Sequence, residues 1–313
     1  MQKRDFVSIA DITRDEALEI FRISAQLKKG TKNSDFPPLL EKKTLAMVFM
    51  KPSLRTRCTF ELRMYQLGGH AVYLAPSDIG MGARESVYDV ASNLERWFDL
   101  VMARVFEHKT VIALAKYASI PVINALCDQE HPCQVMADFF TVLEHRGDLN
   151  GFTLAFIGDG NNVCNSLILL SAILGTHIRV SSPKGYKPHI DILKKASEIF
   201  RSSGGSYEFF HDPRDALKKA EAVYTDVWAS MGQETEVEER KKIFQPYQVN
   251  RELLSGASGD ILIMHDLPAH RGEEITDAVI DSEKSIVFDQ SENRLHAQKG
   301  ILVFLQQASK RGV

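Results

Sequence analysis

Within the seven residues Ser53 to Thr59 the chain sets two guanidiniums beside three hydroxyls, directly after the apolar run Thr44 to Met50. Pro52 occupies the place where a helix commonly begins. The start of a helix offers backbone N–H groups with no intrahelical partner and a partial positive charge. Ser53 and Thr56 add hydroxyl donors, and Arg55 adds a planar fork that matches phosphate oxygens. That combination is a cradle for a small anion. It is not a Walker loop, because the glycines and the Lys-Ser/Thr ending are absent. Taken alone, the same residues suit a surface helix with ordinary salt bridges equally well.

Four further clusters follow other apolar runs. Asp128-Gln129-Glu130-His131-Pro132-Cys133-Gln134 comes after Pro121 to Ala125. There His131 can donate to a carbonyl oxygen, and Gln134, one helical turn on, can accept from an amide or amine. Gly158-Asp159-Gly160-Asn161-Asn162 ends another run. Its third fingerprint glycine is replaced by Val163, which argues against a dinucleotide site and leaves Asn162 as an amide for a polar substrate. Asp226-Val227-Trp228-Ala229-Ser230-Met231-Gly232 and His265-Asp266-Leu267-Pro268 complete the set. Asp226 suits an ammonium group, Ser230 a carboxylate and Met231 an aliphatic chain. Each cluster by itself reads as routine capping or packing; their recurrence after successive apolar runs is the signal.

The elements that must position them alternate along the chain. Strands are predicted at Thr44 to Met50, Ala71 to Ala75, Leu100 to Val105, Pro121 to Ala125, Thr153 to Gly158, His177 to Ser181, Ala222 to Val227 and Ile261 to Met264. Helices are predicted at Arg14 to Lys29, Ser53 to Leu67, Ser86 to Phe98, Pro132 to Arg146, Val163 to Leu174 and Pro188 to Ser202, with a last one at Glu292 to Lys310. Such alternation predicts an α/β protein of two domains, each a parallel sheet flanked by helices. A turn-forming cluster, Gly147 to Gly151, sets the boundary, with domains at 1–146 and 147–291. Open parallel sheets bind ligands beyond the carboxyl ends of their strands, which is where all five clusters lie.

Composition narrows the function classes. With 38 Lys and Arg against 41 Asp and Glu in 313 residues, the charge of -3 provides no footprint for nucleic acid or an acidic membrane. No apolar run approaches membrane-span length, and MQKRDFVSIAD does not read as a secretory or transit segment. A cytoplasmic protein is expected. Its four cysteines form no C-x-x-C pair and are too sparse for a disulfide framework.

Taken together and in order, SLRTR, HPCQ, GDGNN, DVWASMG, LPAHRGEEIT and SENR resemble the ornithine carbamoyltransferases, within the aspartate and ornithine carbamoyltransferase family. The resemblance spans nearly the whole chain. It implies carbamoyl phosphate and L-ornithine as substrates, citrulline and phosphate as products, no metal or organic cofactor, and a homotrimer or a multiple of one. It also implies that 292–313 packs back on the first, carbamoyl phosphate-binding domain, leaving 147–291 to bind ornithine. Matched motif by motif, Ser53, Leu54, Arg55, Thr56, Arg57, Arg104, His131, Gln134, Leu267 and Arg294 hold carbamoyl phosphate. Arg104, His131 and Asp266 stand at the chemistry, and Asn162, Asp226, Ser230 and Met231 hold ornithine.

Two positions depart from the family pattern. Asp266 stands where relatives usually carry a cysteine beside the reacting amine, and a carboxylate there favours the unreactive ammonium unless it accepts the proton. Gly80 stands where relatives usually place a glutamine that reaches a neighbouring subunit's donor site. These departures keep open a carbamoyltransferase for a different amine and a catalytically silent homologue that binds carbamoyl phosphate.

Overall fold

A computed structural model describes residues 3–32, 36–229 and 234–311. It divides into two compact units, 1–140 with 292–313, and 141–291. The division falls inside the helix Pro132–Arg146, ahead of the Gly147 to Gly151 turn.

The first unit is built on β1 (Thr44–Phe49), β2 (His70–Leu74), β3 (Leu100–Arg104) and β4 (Val122–Leu126), all parallel, in the order β2-β1-β3-β4. Leu45 through Phe49 are wholly buried, as a strand covered on both faces requires. The chain adds β2 on one side of β1 and then β3 on the other, so its direction of winding switches between β1 and β3. At that point Phe49 pairs with Arg104, and β4 follows alongside with Leu126 opposite Arg104. The ends of β1, β3 and β4 therefore lie side by side, and the loops leaving them share one rim.

The second unit repeats the logic with β5 (Thr153–Ile157), β6 (His177–Ser181), β7 (Ser206–Phe210), β8 (Ala222–Tyr224) and β9 (Leu262–Met264), parallel in the order β7-β6-β5-β8-β9. Winding reverses between β5 and β8. Phe156 pairs with Tyr224, and Tyr224 with Met264, so the residues after β5, β8 and β9 converge at one edge.

Beyond several short helices that were not expected, among them Pro76–Ile79, Pro213–Leu217, Val237–Phe244, Arg251–Leu254 and Asp277–Ile280, four differences from the sequence expectation have a clear physical reason. β7 was not anticipated: it is an edge strand, partly exposed along its length, and SYEFF shows neither a clean alternation nor a continuous apolar run. The helix His108–Tyr117 was missed because Glu107 makes no side-chain cap and only Val111 and Leu114 are deeply buried. β8 stops at Tyr224, which leaves Asp226 beyond the strand rather than in it. The last helix runs Val287–Arg311, starting five residues before Glu292.

Within the first unit that last helix lies hard against Arg14–Lys32. A Cβ on Gly300 would sit 2.2 Å from Ser24 Oγ and 2.6 Å from the Ile20 carbonyl oxygen, so only glycine permits the approach. Gly80 has a backbone reason of its own. It closes the short helix Pro76–Ile79 in the left-handed region, at φ 58°, and its carbonyl accepts from Ala83 and Arg84 N–H. A glutamine there would have to adopt a conformation that side chains disfavour.

Candidate active site

The anion cradle forms around the start of the helix Leu54–Gln66. Ser53 is its N-cap, accepting from Thr56 N–H at 3.3 Å. Leu54 is 76 % exposed, so its backbone N–H is what it can offer an anion. Thr56 is completely buried, and its Oγ1 accepts from Arg294 Nη2 at 3.0 Å and from Arg104 Nη1 at 3.4 Å. Two guanidiniums on a single hydroxyl leave its O–H proton directed away from them, as a donor. Arg57 does not join this set. It is exposed, lies 3.9 Å from the centre of the Tyr73 ring and pairs with Glu61 at 3.7 Å.

His131 is buried just before Pro132–Arg146, whose first turn hydrogen-bonds back to its carbonyl through Gln134 N–H at 3.0 Å. Burial holds its basicity well below the ordinary histidine range, and the positive charges of Arg294, Arg104 and Arg55 add to the effect. The ring is therefore neutral near pH 7, and its N–H is a donor without net charge. Gln134 is wholly buried; its Nε2 donates to Asp138 at 2.8 Å, and its Oε1 finds no hydrogen-bond partner among the described residues. An acceptor oriented by Asp138 suits an N–H donor on a ligand. Cys133 is no nucleophile: burial pushes its thiol up to about 12 despite Arg63 and Arg294.

The second unit gathers carboxylates instead. One ligand atom each of Asp226, His265 and Asp266 lie within 4.8 Å of one another. Asp226 Oδ2 accepts from Asn161 Nδ2 at 2.6 Å, while Asn161 Oδ1 caps the helix Asn162–Leu174 by accepting from Val163 and Cys164 N–H, both at 3.0 Å. Asn162, expected to hold the substrate, accepts from Val163 N–H through its own Oδ1. Ser230 and Met231 lie outside the described residues. Leu267, also placed in this unit, sits at φ 58° in the bend after β9.

Residues that the sequence reading passed over support this cluster. Asp159 pairs with Arg240 at 2.7 Å; burial raises the Asp159 pKa, and Arg240 opposes the rise. The same Arg240 nitrogen donates to the Trp228 carbonyl at 2.9 Å and so pins the segment after Asp226. The signal for Asn161 was available in its place one residue before the helix, where asparagine caps. Nothing local pointed to Arg240. Asn161→Ala is expected to lose about 0.5–2 kcal/mol of stability, the usual cost of a lost cap, and to raise the Michaelis constant for the amine acceptor. Chemical denaturation and initial-rate kinetics check the two effects. An unchanged Michaelis constant would show that Asn161 only caps.

The first unit thus presents guanidiniums, a hydroxyl and a neutral imidazole, a set that suits an anionic carbonyl compound. The second presents carboxylates for a cation. Family models match both parts of the chain: the aspartate/ornithine carbamoyltransferase carbamoyl-P binding domain over 4–144 and the Asp/Orn binding domain over 150–305. The chain belongs to this family. The family's Asp/Orn model extends to residue 305, whereas compactness assigns 292–313 to the first unit. Among its relatives, an ornithine carbamoyltransferase of Thermococcus kodakarensis is 51 % identical over 302 residues, covering 96 % of each chain. The solved ornithine carbamoyltransferase of Pyrococcus furiosus matches with a TM-score of 0.93 at 50 % identity over 96 % of each chain. The anabolic ornithine carbamoyltransferase structure from Campylobacter jejuni gives a TM-score of 0.93 at 38 % identity, over 97 % of this chain and 99 % of that one. No helix among the described residues is long and apolar enough to cross a membrane.

Proposed function

We propose that the chain is an ornithine carbamoyltransferase, moving the carbamoyl group of carbamoyl phosphate to the δ-amine of L-ornithine. The observation that carries this reading is Thr56 Oγ1 held between Arg104 and Arg294 beside an imidazole kept neutral by burial and, secondarily, by the same cations. Arg55, Ser53 and the Leu54 N–H take the phosphate; Arg294 completes that side. Thr56, Arg104 and His131 donate to the carbamoyl oxygen, and Gln134 Oε1 accepts from the carbamoyl nitrogen. The neutral amine attacks the carbonyl carbon, charge develops on that oxygen, and the tetrahedral intermediate collapses by breaking the bond to phosphate. The nitrogen gives up a proton, leaving citrulline and inorganic phosphate. Donors aligned in advance on the oxyanion make this step favourable. Leu267 belongs with the donor's contacts, and Asn162, Asp226, Ser230 and Met231 with those of ornithine.

Family resemblance supports a cytoplasmic homotrimer, or a multiple of one, without metal or organic cofactor. Exposed Leu54, Leu62 and Tyr65 on one side of Leu54–Gln66 supply apolar surface for such an assembly. A P. furiosus relative named as anabolic supports a place in arginine biosynthesis.

Asp266 favours a second reading, a different amine acceptor. Both readings are tested by measuring carbamoylation of ornithine, N-acetylornithine, putrescine and aspartate by the purified protein. Ornithine is expected to give the highest kcat/KM; preference for another amine overturns the ornithine assignment. An ionised Asp266 near the δ-amine raises the amine's pKa, so less of it is neutral at pH 7. Asp266→Cys is therefore expected to raise turnover near neutral pH and move the pH–rate profile toward acid. A large loss of turnover in the folded variant would identify Asp266 as the proton acceptor instead.

A further inference from the structure

Behind Asp266 lies a buried pair that this reaction scheme leaves unused. His265 and Glu274 both have side chains without solvent exposure, and His265 Nε2 stands 3.1 Å from Glu274 Oε1. The other ring nitrogen, Nδ1, accepts from Leu267 N–H at 2.9 Å and lies 3.5 Å from Asp266 Oδ1. These contacts define the tautomer: the ring proton sits on Nε2, directed to Glu274, and the Nδ1 lone pair faces the bend. Glu274 Oε1 also accepts from His270 N–H at 2.6 Å, at the far end of the same loop. Leu267 is held at φ 58°, a left-handed conformation that leucine does not adopt without support. A carboxylate buried this completely is costly, and both of its contacts lead to that bend.

We propose that Glu274 is a positioning residue for the carbamoyl transfer: by accepting the hydrogen bond from His265 Nε2–H it keeps Nδ1 as an acceptor, which holds Leu267 in its left-handed bend and sets the direction of the Asp266 carboxylate. Without Glu274 the ring can place its proton on Nδ1. Leu267 N–H then meets another donor, the bend relaxes, and Asp266 and Leu267 leave their places. The proposal rests on the reading that these two residues stand at the amine and the donor. Misplacement on the ångström scale near reacting atoms costs rate more than it costs donor affinity.

The test combines kinetics with imidazole 15N NMR on histidine-labelled protein, the His265 signals being assigned by their loss in His265→Gln. Wild-type enzyme should show Nε2–H. Glu274→Ala should show a mixture of tautomers and a kcat reduced about tenfold or more, a larger factor than the weakening of carbamoyl phosphate binding that displaced Leu267 brings. Glu274→Gln, whose amide oxygen can accept from both His265 and His270, should restore tautomer and rate together. Glu274→Met, close to Glu in volume and without an acceptor, replaces the alanine variant if that does not fold. Unchanged tautomer in the folded variants, or a rate loss that Glu274→Gln does not restore, overturns the proposal. A wild-type protein that carbamoylates no amine defeats the functional reading alone, because the tautomer comparison still decides whether Glu274 controls His265.

Discussion

His131→Ala is expected to lower kcat about a hundredfold or more, the usual loss when one oxyanion donor is removed, while the affinity for carbamoyl phosphate changes little. The imidazole is buried and neutral, so it adds no charge for the phosphate to bind. Its N–H strengthens as a donor only when the carbonyl oxygen becomes negative. Turnover and kcat/KM should therefore fall by the same factor. A rise in KM with turnover intact would place His131 in ground-state binding instead. Its depressed basicity also has a stability consequence of defined sign. Above the ordinary histidine value, about 6.5, His131 is neutral whether folded or unfolded and contributes no pH dependence. Below it the unfolded chain takes up a proton that the folded one refuses, so stability falls by up to about 1.4 kcal/mol per pH unit. That loss stops once the pH passes below the folded-state pKa. His131→Ala should therefore flatten part of the acid limb of a denaturation series.

Arg55→Ala is expected to abolish measurable binding of carbamoyl phosphate in calorimetric titration, with the fold retained. Arg55 is half-buried at the first turn of Leu54–Gln66, where backbone N–H groups and Ser53 already converge. A charge-assisted fork to a partly desolvated phosphate contributes more than a neutral hydrogen bond, and its loss leaves phosphate oxygens without that partner. The remaining guanidiniums do not replace it, since Arg294 already has its own place on the phosphate in this scheme, Arg104 is directed to the carbamoyl oxygen and Arg57 stacks on Tyr73. Arg57→Ala serves as the internal control, with affinity close to wild type. Affinity retained in Arg55→Ala, or lost equally in Arg57→Ala, would remove the phosphate cradle from its assigned place.

What could be read without coordinates was local in origin. A helix start is written in a few consecutive residues, so Pro52-Ser53 announced both the helix and its anion-binding end. Strands buried on both faces are continuous apolar runs, so β1, β3 and β5 were visible as such. The partly exposed edge strand β7 was not. The clusters after successive strands were legible because a parallel sheet places every strand's carboxyl end on one side.

The three-dimensional arrangement decided which members of each cluster act together. Arg55 and Arg57 read as equals in SLRTR, yet residues two apart stand about 200° apart around a helix, and burial of Thr56 turns Arg57 toward Tyr73. The Thr56 hydroxyl meets Arg294 across 238 positions of sequence, a pairing that exists only because the last helix packs within the first unit. Asn161, rather than its neighbour Asn162, reaches Asp226 because the cap position directs its amide toward β8. His265 read only as the first residue of the cluster His265-Asp266-Leu267-Pro268, and only the return of the loop to Glu274 gives its ring a fixed tautomer. The residue types named the chemistry, because charge and hydrogen-bonding capacity belong to each side chain. The partners were set by strand order, helix phase and burial, which exist only after the chain has folded.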